Sequence, residues 1–171
     1  GYEGQNVTQN LRTVLSIPLT LLRESPARLD VRGEVYMPIE DFRRLNDERT
    51  TAGEPLFVNP RNSAAGFVRQ LDPRITASRS LDIFIYAVGY SEDGSLPDNQ
   101  WDALEQLKGL GFKINPHNTL CRNLEDVEEF YQHWLVGREQ LPYQTDGVVI
   151  KVNSVQLQQR LGVVGREPRW A

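Results

Sequence analysis

The sequence is short of cysteine, of lysine and of long apolar runs, and each shortage excludes something. Cys121 is the one cysteine, so neither an intramolecular disulfide nor an all-cysteine metal site can form. A lone thiol fits a reducing compartment. No apolar run approaches the roughly 20 residues that span a bilayer, and nothing reads as a signal peptide. The expectation is therefore a cytoplasmic protein with no membrane partner. Lysine occurs only at Lys108, Lys113 and Lys151, so sixteen of the 19 basic residues are arginine. Arginine's planar fork matches phosphate and carboxylate better than an ammonium does, although a GC-rich genome or plain surface usage gives the same bias. The formal charge of −4 does not suggest a strong electrostatic DNA binder, which is usually basic. The chain begins at Gly1 rather than Met, so a fragment, a processed form or an excised piece is expected.

What is present is ordinary for a folded domain. The chain has 171 residues, 39% hydrophobic and 25% charged, enough for one core. Val7, Leu11, Val14 and Leu15 recur at helical spacing and predict a helix over 6–17, stopped by Pro18. From Arg28 to Met37, apolar Leu29, Val31 and Val35 alternate with Asp30, Arg32 and Glu34, the pattern of a half-buried strand. Pro38 is placed at the first position of a helix running to about Asn46 or Glu48. A loop is expected over 53–61, then a short small-residue helix over 62–70. The nearly continuous apolar run 81–90 predicts a strand covered on both faces, ended by an acidic turn at 91–94. Helices are predicted over 97–110 and from an Asn123 cap through Trp134. A β-branched strand is expected over 145–152, then a helix capped by Asn153 or Ser154 and ending near Gly162. This mixture indicates an α+β domain.

Three segments can carry chemistry. In Thr145-Asp-Gly-Val-Val-Ile-Lys-Val152, Lys151 ends an apolar strand, so its ammonium must reach an anion, an acceptor or solvent. Gly147 allows close approach of a ligand or another backbone, and Asp146 can orient a metal-bound water or a lysine. Taken alone, the segment reads first as a strand whose last lysine snorkels to water. In Leu29-Asp-Val-Arg-Gly-Glu-Val-Tyr-Met-Pro38, Glu34 follows a bare glycine and can accept two ribose hydroxyls, or it can pair with Arg32 in solvent. In the third segment, 57–74, Arg61 and Arg69 stand about two helical turns apart. Ala64, Ala65 and Gly66 leave room between them, and Asn62 or Ser63 can present free amides at a helix N-terminus, a natural anion site. A surface helix with scattered arginines is the plain reading.

Taken in order, these segments resemble the NAD-dependent DNA ligase family of bacteria along almost the whole chain. Val7-Thr-Gln-Asn-Leu-Arg-Thr13 is similar to the family's helix after its early Arg-Gly-Asp-Gly element. Val31-Arg-Gly-Glu-Val35 resembles nucleotidyltransferase motif III, Phe84-Ile-Tyr-Ala-Val-Gly89 motif IIIa, and Asp146-Gly-Val-Val-Ile-Lys-Val-Asn153 motif IV. Asn59-Pro-Arg-Asn-Ser-Ala-Ala-Gly66 with Arg69-Gln-Leu-Asp-Pro-Arg-Ile75 looks like the block particular to the NAD-dependent branch. Arg166-Glu-Pro-Arg-Trp-Ala171 resembles the approach to motif V. Single motifs are weak, but six in family order are strong.

The resemblance implies a partial nucleotidyltransferase (ATP-grasp-like) adenylation domain over 1–171, with mixed, largely antiparallel sheets flanked by helices. It implies a parent enzyme that seals nicks in double-stranded DNA as a monomer. A lysine takes AMP from NAD with magnesium or manganese assisting, and the AMP then passes to the 5′-phosphate of the nick. Zinc is implied only for modules absent from this chain. By motif, Glu34 binds the AMP ribose, Lys151 contacts the adenylate, and Asp146 supports metal or lysine geometry. Arg61, Arg69 and Arg138 contact nucleotide, nicotinamide-side phosphate or the nicked strand, and Tyr86 packs near the site. Glu34, Arg61, Arg69, Asp146 and Lys151 are expected to converge on one adenylate-sized cleft. The departures are equally specific: none of the three lysines is followed by x-Asp-Gly, so the nucleophile is absent, as is motif V. The chain is expected to be inactive alone. The alternative is a non-catalytic relative that keeps nucleotide or DNA binding. An ATP-dependent ligase or capping enzyme shares motifs III and IV but has no reason to carry 59–75.

Overall fold

A computed structural model describes residues 4–92, 96–165 and 167–171. The acidic turn expected at 91–94 and the start of the Arg166–Ala171 motif therefore lie in part outside the described residues. The chain divides into two compact units. One comprises Gly1–Leu19, Glu34–Phe84 and Gln140–Gln144, and the other Thr20–Gly33, Ile85–Glu139 and Thr145–Ala171. The elements are helices and small two-stranded sheets, in keeping with an α+β domain.

In the first unit the core is Val14, Met37, Leu45, Ala64, Phe67, Leu81 and Ile83. The predicted helix over 6–17 shrinks to α1 (Thr8–Leu11). Beyond Leu11 the backbone tightens, with Thr13 N donating to Asn10 O, Val14 N to Leu11 O and Ile17 N to Val14 O. These three-residue closures displace the i→i−4 ladder. Asn10 explains the stop: its buried amide donates to Gln70 O and to Thr76 Oγ1, both at 2.8 Å, which anchors the chain by side chain rather than by helix continuation.

Helix α2 (Ile39–Ala52) ends on Gly53 at φ 68°, a left-handed cap that glycine adopts without a Cβ penalty. Pro38 is its N-cap rather than its first residue. Helix α3 (Pro60–Val68) starts two residues before expectation because Asn59 caps it, Oδ1 accepting from Asn62 N at 2.8 Å. Proline then occupies the first position, where its missing N–H is harmless. Helix α4 (Pro73–Ala77) repeats the device with Asp72 and Pro73.

Strands β1 (Leu29–Tyr36) and β2 (Asp82–Ser91) pair as a two-stranded sheet. Arg28 O accepts from Glu92 N at one end, while Tyr36 meets Asp82 at the other, so the strands run antiparallel. The expectation that 81–90 is covered on both faces holds only for the first half. Ile83 and Ile85 are buried, but Tyr86 is 42% and Tyr90 47% exposed. Two strands offer too little surface to enclose the distal half.

In the second unit Leu104, Leu107 and Leu110 project from α5 (Gln100–Gly109) and its C-cap into a core with Ile85, and Ile85 N donates to Lys113 O at 2.8 Å. Helix α6 (Leu124–Gly137) is capped by Asn123 as expected, Oδ1 accepting from Asp126 N. A 3-10 turn, Arg138–Gln140, follows it. Helix α7 (Val155–Leu161) is capped by Ser154 and ends at Gly162. Short strands β3 (Val163–Val164) and β4 (Glu167–Pro168) pair antiparallel, Val163 opposite Pro168.

The strand predicted over 145–152 does not form. The segment carries no strand assignment, Val149 and Ile150 are 74% and 55% exposed, and Val152 N donates to Trp170 O. A β-branched run supplies extended torsions, but a strand exists only where a neighbour accepts its ladder, and none stands beside 145–151 among the described residues.

Candidate functional site

Of the expected site residues, the first unit holds Glu34, Arg61 and Arg69, and the second holds Asp146, Lys151, Arg138 and Tyr86. Glu34 is exposed on β1 between Gly33 and Val35. Arg61 is exposed in the first turn of α3, and Arg69 is exposed as its C-cap.

The small residues between these arginines are small for packing. Ser63, Ala64 and Phe67 are the buried face of α3, with Ala64 only 1% exposed. Gly66 alone opens outward, with nothing within 4 Å of a Cβ built there. The free amides expected at Asn62 and Ser63 are not free. Asn62 N donates to Asn59 Oδ1 at 2.8 Å and Ser63 N to Asn59 O at 3.3 Å. An anion would have to displace the cap, so the chemistry of this element rests on its guanidinium groups.

In the second unit, Lys151 meets the anchor its sequence context demands. Its Nζ donates to Tyr86 O at 3.4 Å and lies 4.7 Å from the centre of the Tyr86 ring. The carbonyl dipole and the negative ring face both favour the cation. Burial opposes it and holds the ammonium below the ordinary lysine value. The same Tyr86 carbonyl accepts from Gln100 Nε2 at 2.9 Å. Lys151 is thus a half-buried cation on a neutral seat, not a lysine snorkelling to water.

Asp146 is exposed, five residues before Lys151. A side chain at Gly147 would enter open space, since nothing lies within 4 Å of its Cβ position, so no other backbone makes the close approach expected there among the described residues. Arg138 caps the end of α6, exposed, and begins the 3-10 turn.

Magnesium or manganese does not find a ready cage. Among the described residues no group of three or more His, Cys, Asp or Glu side chains stands together to hold a metal ion. Hard divalent ions bound through one or two protein carboxylates draw their remaining ligands from water and substrate phosphate, so Asp146 by itself does not make a metal site. Taken unit by unit, the first presents exposed guanidinium groups and an exposed carboxylate, and the second a partly desolvated ammonium.

Residues 1–171 match the family described as the NAD-dependent DNA ligase adenylation domain. The chain belongs to that family. It is 57% identical over 171 residues to a DNA ligase of Dehalococcoides mccartyi. It is also 53% identical to a DNA ligase of Desulforamulus reducens and 49% identical to one of Thermotoga maritima. Each match covers 100% of this chain but only 24–25% of the relative, so the chain spans about a quarter of the length of these ligases. Among the described residues no helix is long and apolar enough to cross a membrane.

Two participants escaped the sequence reading. Gln100 gave no signal, because a polar first residue of a helix is commonplace. Asn153 was visible as the last residue of the motif IV match and as a candidate cap for α7. Its side chain instead accepts from Trp101 N at 2.9 Å, at the start of α5.

Proposed function

We propose that this chain is the adenylate-holding part of an NAD-dependent DNA ligase, with a nucleotidyltransferase fold, acting in the cytoplasm on nicked double-stranded DNA. The match of all 171 residues to the adenylation-domain family carries this reading. NAD is the AMP donor. A lysine accepts the adenylyl group and expels nicotinamide mononucleotide, the AMP passes to the 5′-phosphate at the nick, and the 3′-hydroxyl displaces it. Phosphoryl transfers of this kind depend on positioning and charge neutralisation, which these side chains can supply.

Glu34 accepts the ribose hydroxyls. Lys151 neutralises adenylate charge, and its partial desolvation supports that role, because a cation short of water gains more from an arriving phosphate. Arg61, Arg69 and Arg138 contact nucleotide, nicotinamide-side phosphate or the nicked strand, and their exposure leaves them accessible. Asp146 orients a lysine or a metal-bound water. Divalent metal, held largely by phosphate oxygens, lowers the charge barrier when bound.

No lysine of this sequence stands in a Lys-x-Asp-Gly motif, and contacts alone do not replace a nucleophile. The 171-residue chain is therefore inactive in self-adenylation. Incubation with NAD and magnesium followed by intact-mass measurement is expected to leave the mass unchanged. An adduct of one AMP would overturn that statement.

A further inference from the structure

Helix α5 begins with a problem that another segment solves. The first backbone N–H groups of a helix have no partner within it. Asn99 serves one of them, its Oδ1 accepting from Asp102 N at 2.9 Å, while its O accepts the first intrahelical bond from Ala103 N at 3.2 Å. Two more are served from across the unit by one residue. Asn153 O accepts from Gln100 N at 2.8 Å, and Asn153 Oδ1 accepts from Trp101 N at 2.9 Å.

Asn99 and Ser154 form an isolated antiparallel bridge, and Val155 N donates to Asp98 O at 2.9 Å. Asn153 lies two residues after Lys151, next to a stretch with no sheet ladder among the described residues. The first residue of α5 closes the circuit, because Gln100 Nε2 donates to the Tyr86 carbonyl on which Lys151 rests. Covalent chain and hydrogen bonds thus run from Lys151 to Asn153, to the start of α5, to Gln100, to Tyr86 and back to Lys151.

We propose that Asn153 and Gln100 are positioning residues for Lys151: the N-terminus of α5 clamps the extended segment through Asn153, and Gln100 fixes the carbonyl that receives the ammonium. Side-chain capping and main-chain bonding together replace the missing strand ladder. The inference rests on the function proposed above only in what Lys151 is held for, not in how it is held.

The chain has three lysines, so selective carbon-13 labelling of lysine gives three side-chain signals, with Lys151 assigned by Lys151→Arg. In the unaltered chain the Lys151 signal is expected upfield of those of Lys108 and Lys113, shifted by the Tyr86 ring. Asn153→Ala is expected to move it toward the other two while circular dichroism retains the helices. Asn153→Asp, which keeps an acceptor for Trp101 N, is expected to hold it in place. Gln100→Leu, which removes one side-chain donor without touching the caps, is expected to broaden or move the same signal and decides the matter if Asn153→Ala does not fold. An unmoved Lys151 signal in folded Asn153→Ala, or in Gln100→Leu, overturns the clamp. Adding AMP to the unaltered chain separates the two readings. A Lys151 signal that ignores AMP counts against the function proposed, while the response to the variants still judges the clamp.

Discussion

The Tyr36 hydroxyl donates to an Asp82 carboxylate oxygen at 2.8 Å, joining the last residue of β1 to the first of β2. The Tyr36 ring stacks on Phe84 at 4.9 Å and meets Tyr143 edge-on at 5.3 Å. Tyr36→Phe keeps these ring contacts and removes the hydrogen bond, at a cost of about 1 kcal/mol, to be read as a shifted urea midpoint with an unchanged slope.

The same pair predicts a dependence on pH. Burial first, and then the hydrogen bond to Asp82, raise the Tyr36 pKa well above its ordinary value of 10.0. The folded state therefore holds a proton that the unfolded chain releases. Its contribution is fully present below pH 10 and is lost as pH climbs further. Thermal melting from pH 8 to 11 should show the unaltered chain falling more steeply than Tyr36→Phe. Parallel curves would remove Tyr36 as the cause.

Asn10 is the buried polar anchor of the first unit. Its amide donates to Gln70 O and Thr76 Oγ1, and the Thr76 hydroxyl donates to Phe67 O at 2.8 Å. Asn10→Ala leaves the Gln70 carbonyl without this donor and opens space beside Thr76, which costs roughly 1–3 kcal/mol. Thr76→Val keeps the shape but removes one acceptor of the Asn10 amide and the donor to Phe67 O, so the double variant should cost less than the two single losses added. Chemical denaturation of the four proteins measures the difference.

At the acid end, Asp72 and Asp126 are two partly exposed carboxylates whose protonation couples to stability. The Arg74 side chain and then its backbone N–H hold Asp72 below its ordinary range. For Asp126 the order is the backbone N–H of Arg122 and then its side chain. A depressed folded pKa gives stability that is present above the unfolded value and is lost as pH falls through the folded one. Asp72→Asn with Asp126→Asn keeps uncharged acceptors and should flatten the melting-temperature profile below about pH 4. A profile as steep as that of the unaltered chain would place the acid sensitivity elsewhere.

Local signals were legible where a short stretch decides its own structure. Asn123 and Ser154 announced their helices because a side-chain oxygen beside a helical run has amides to accept from. The alternation from Leu29 to Val35 announced β1 because one side of that strand is more covered than the other. Tyr36 sat on the polar phase of that alternation, yet it is half-buried, since only the fold brings Asp82, Phe84 and Tyr143 around it. The segment 145–152 failed for a related reason: β-branched residues favour extension, but pairing depends on neighbours. The family resemblance was legible in the order of motifs. The seat of Lys151 on Tyr86 was not, because it joins residues 65 positions apart.

Glu34 and Arg69 offer the sharpest test of the proposed nucleotide contacts, because both are exposed. Removing an exposed side chain away from the core usually changes stability by no more than about 0.5 kcal/mol, so Glu34→Ala and Arg69→Ala should melt close to the unaltered chain. A charge-assisted hydrogen bond to a ligand contributes about 1.5–3 kcal/mol, or roughly a tenfold to hundredfold change in Kd. Glu34→Ala should weaken AMP binding by that factor, and Arg69→Ala should weaken NAD binding more than AMP binding if it reaches the nicotinamide-side phosphate. Calorimetric titration of both ligands into both variants separates the roles. Equal loss for AMP and NAD in Arg69→Ala would put that guanidinium on the adenylate phosphate, and unchanged affinity for both ligands in Glu34→Ala would remove the carboxylate from the ribose altogether.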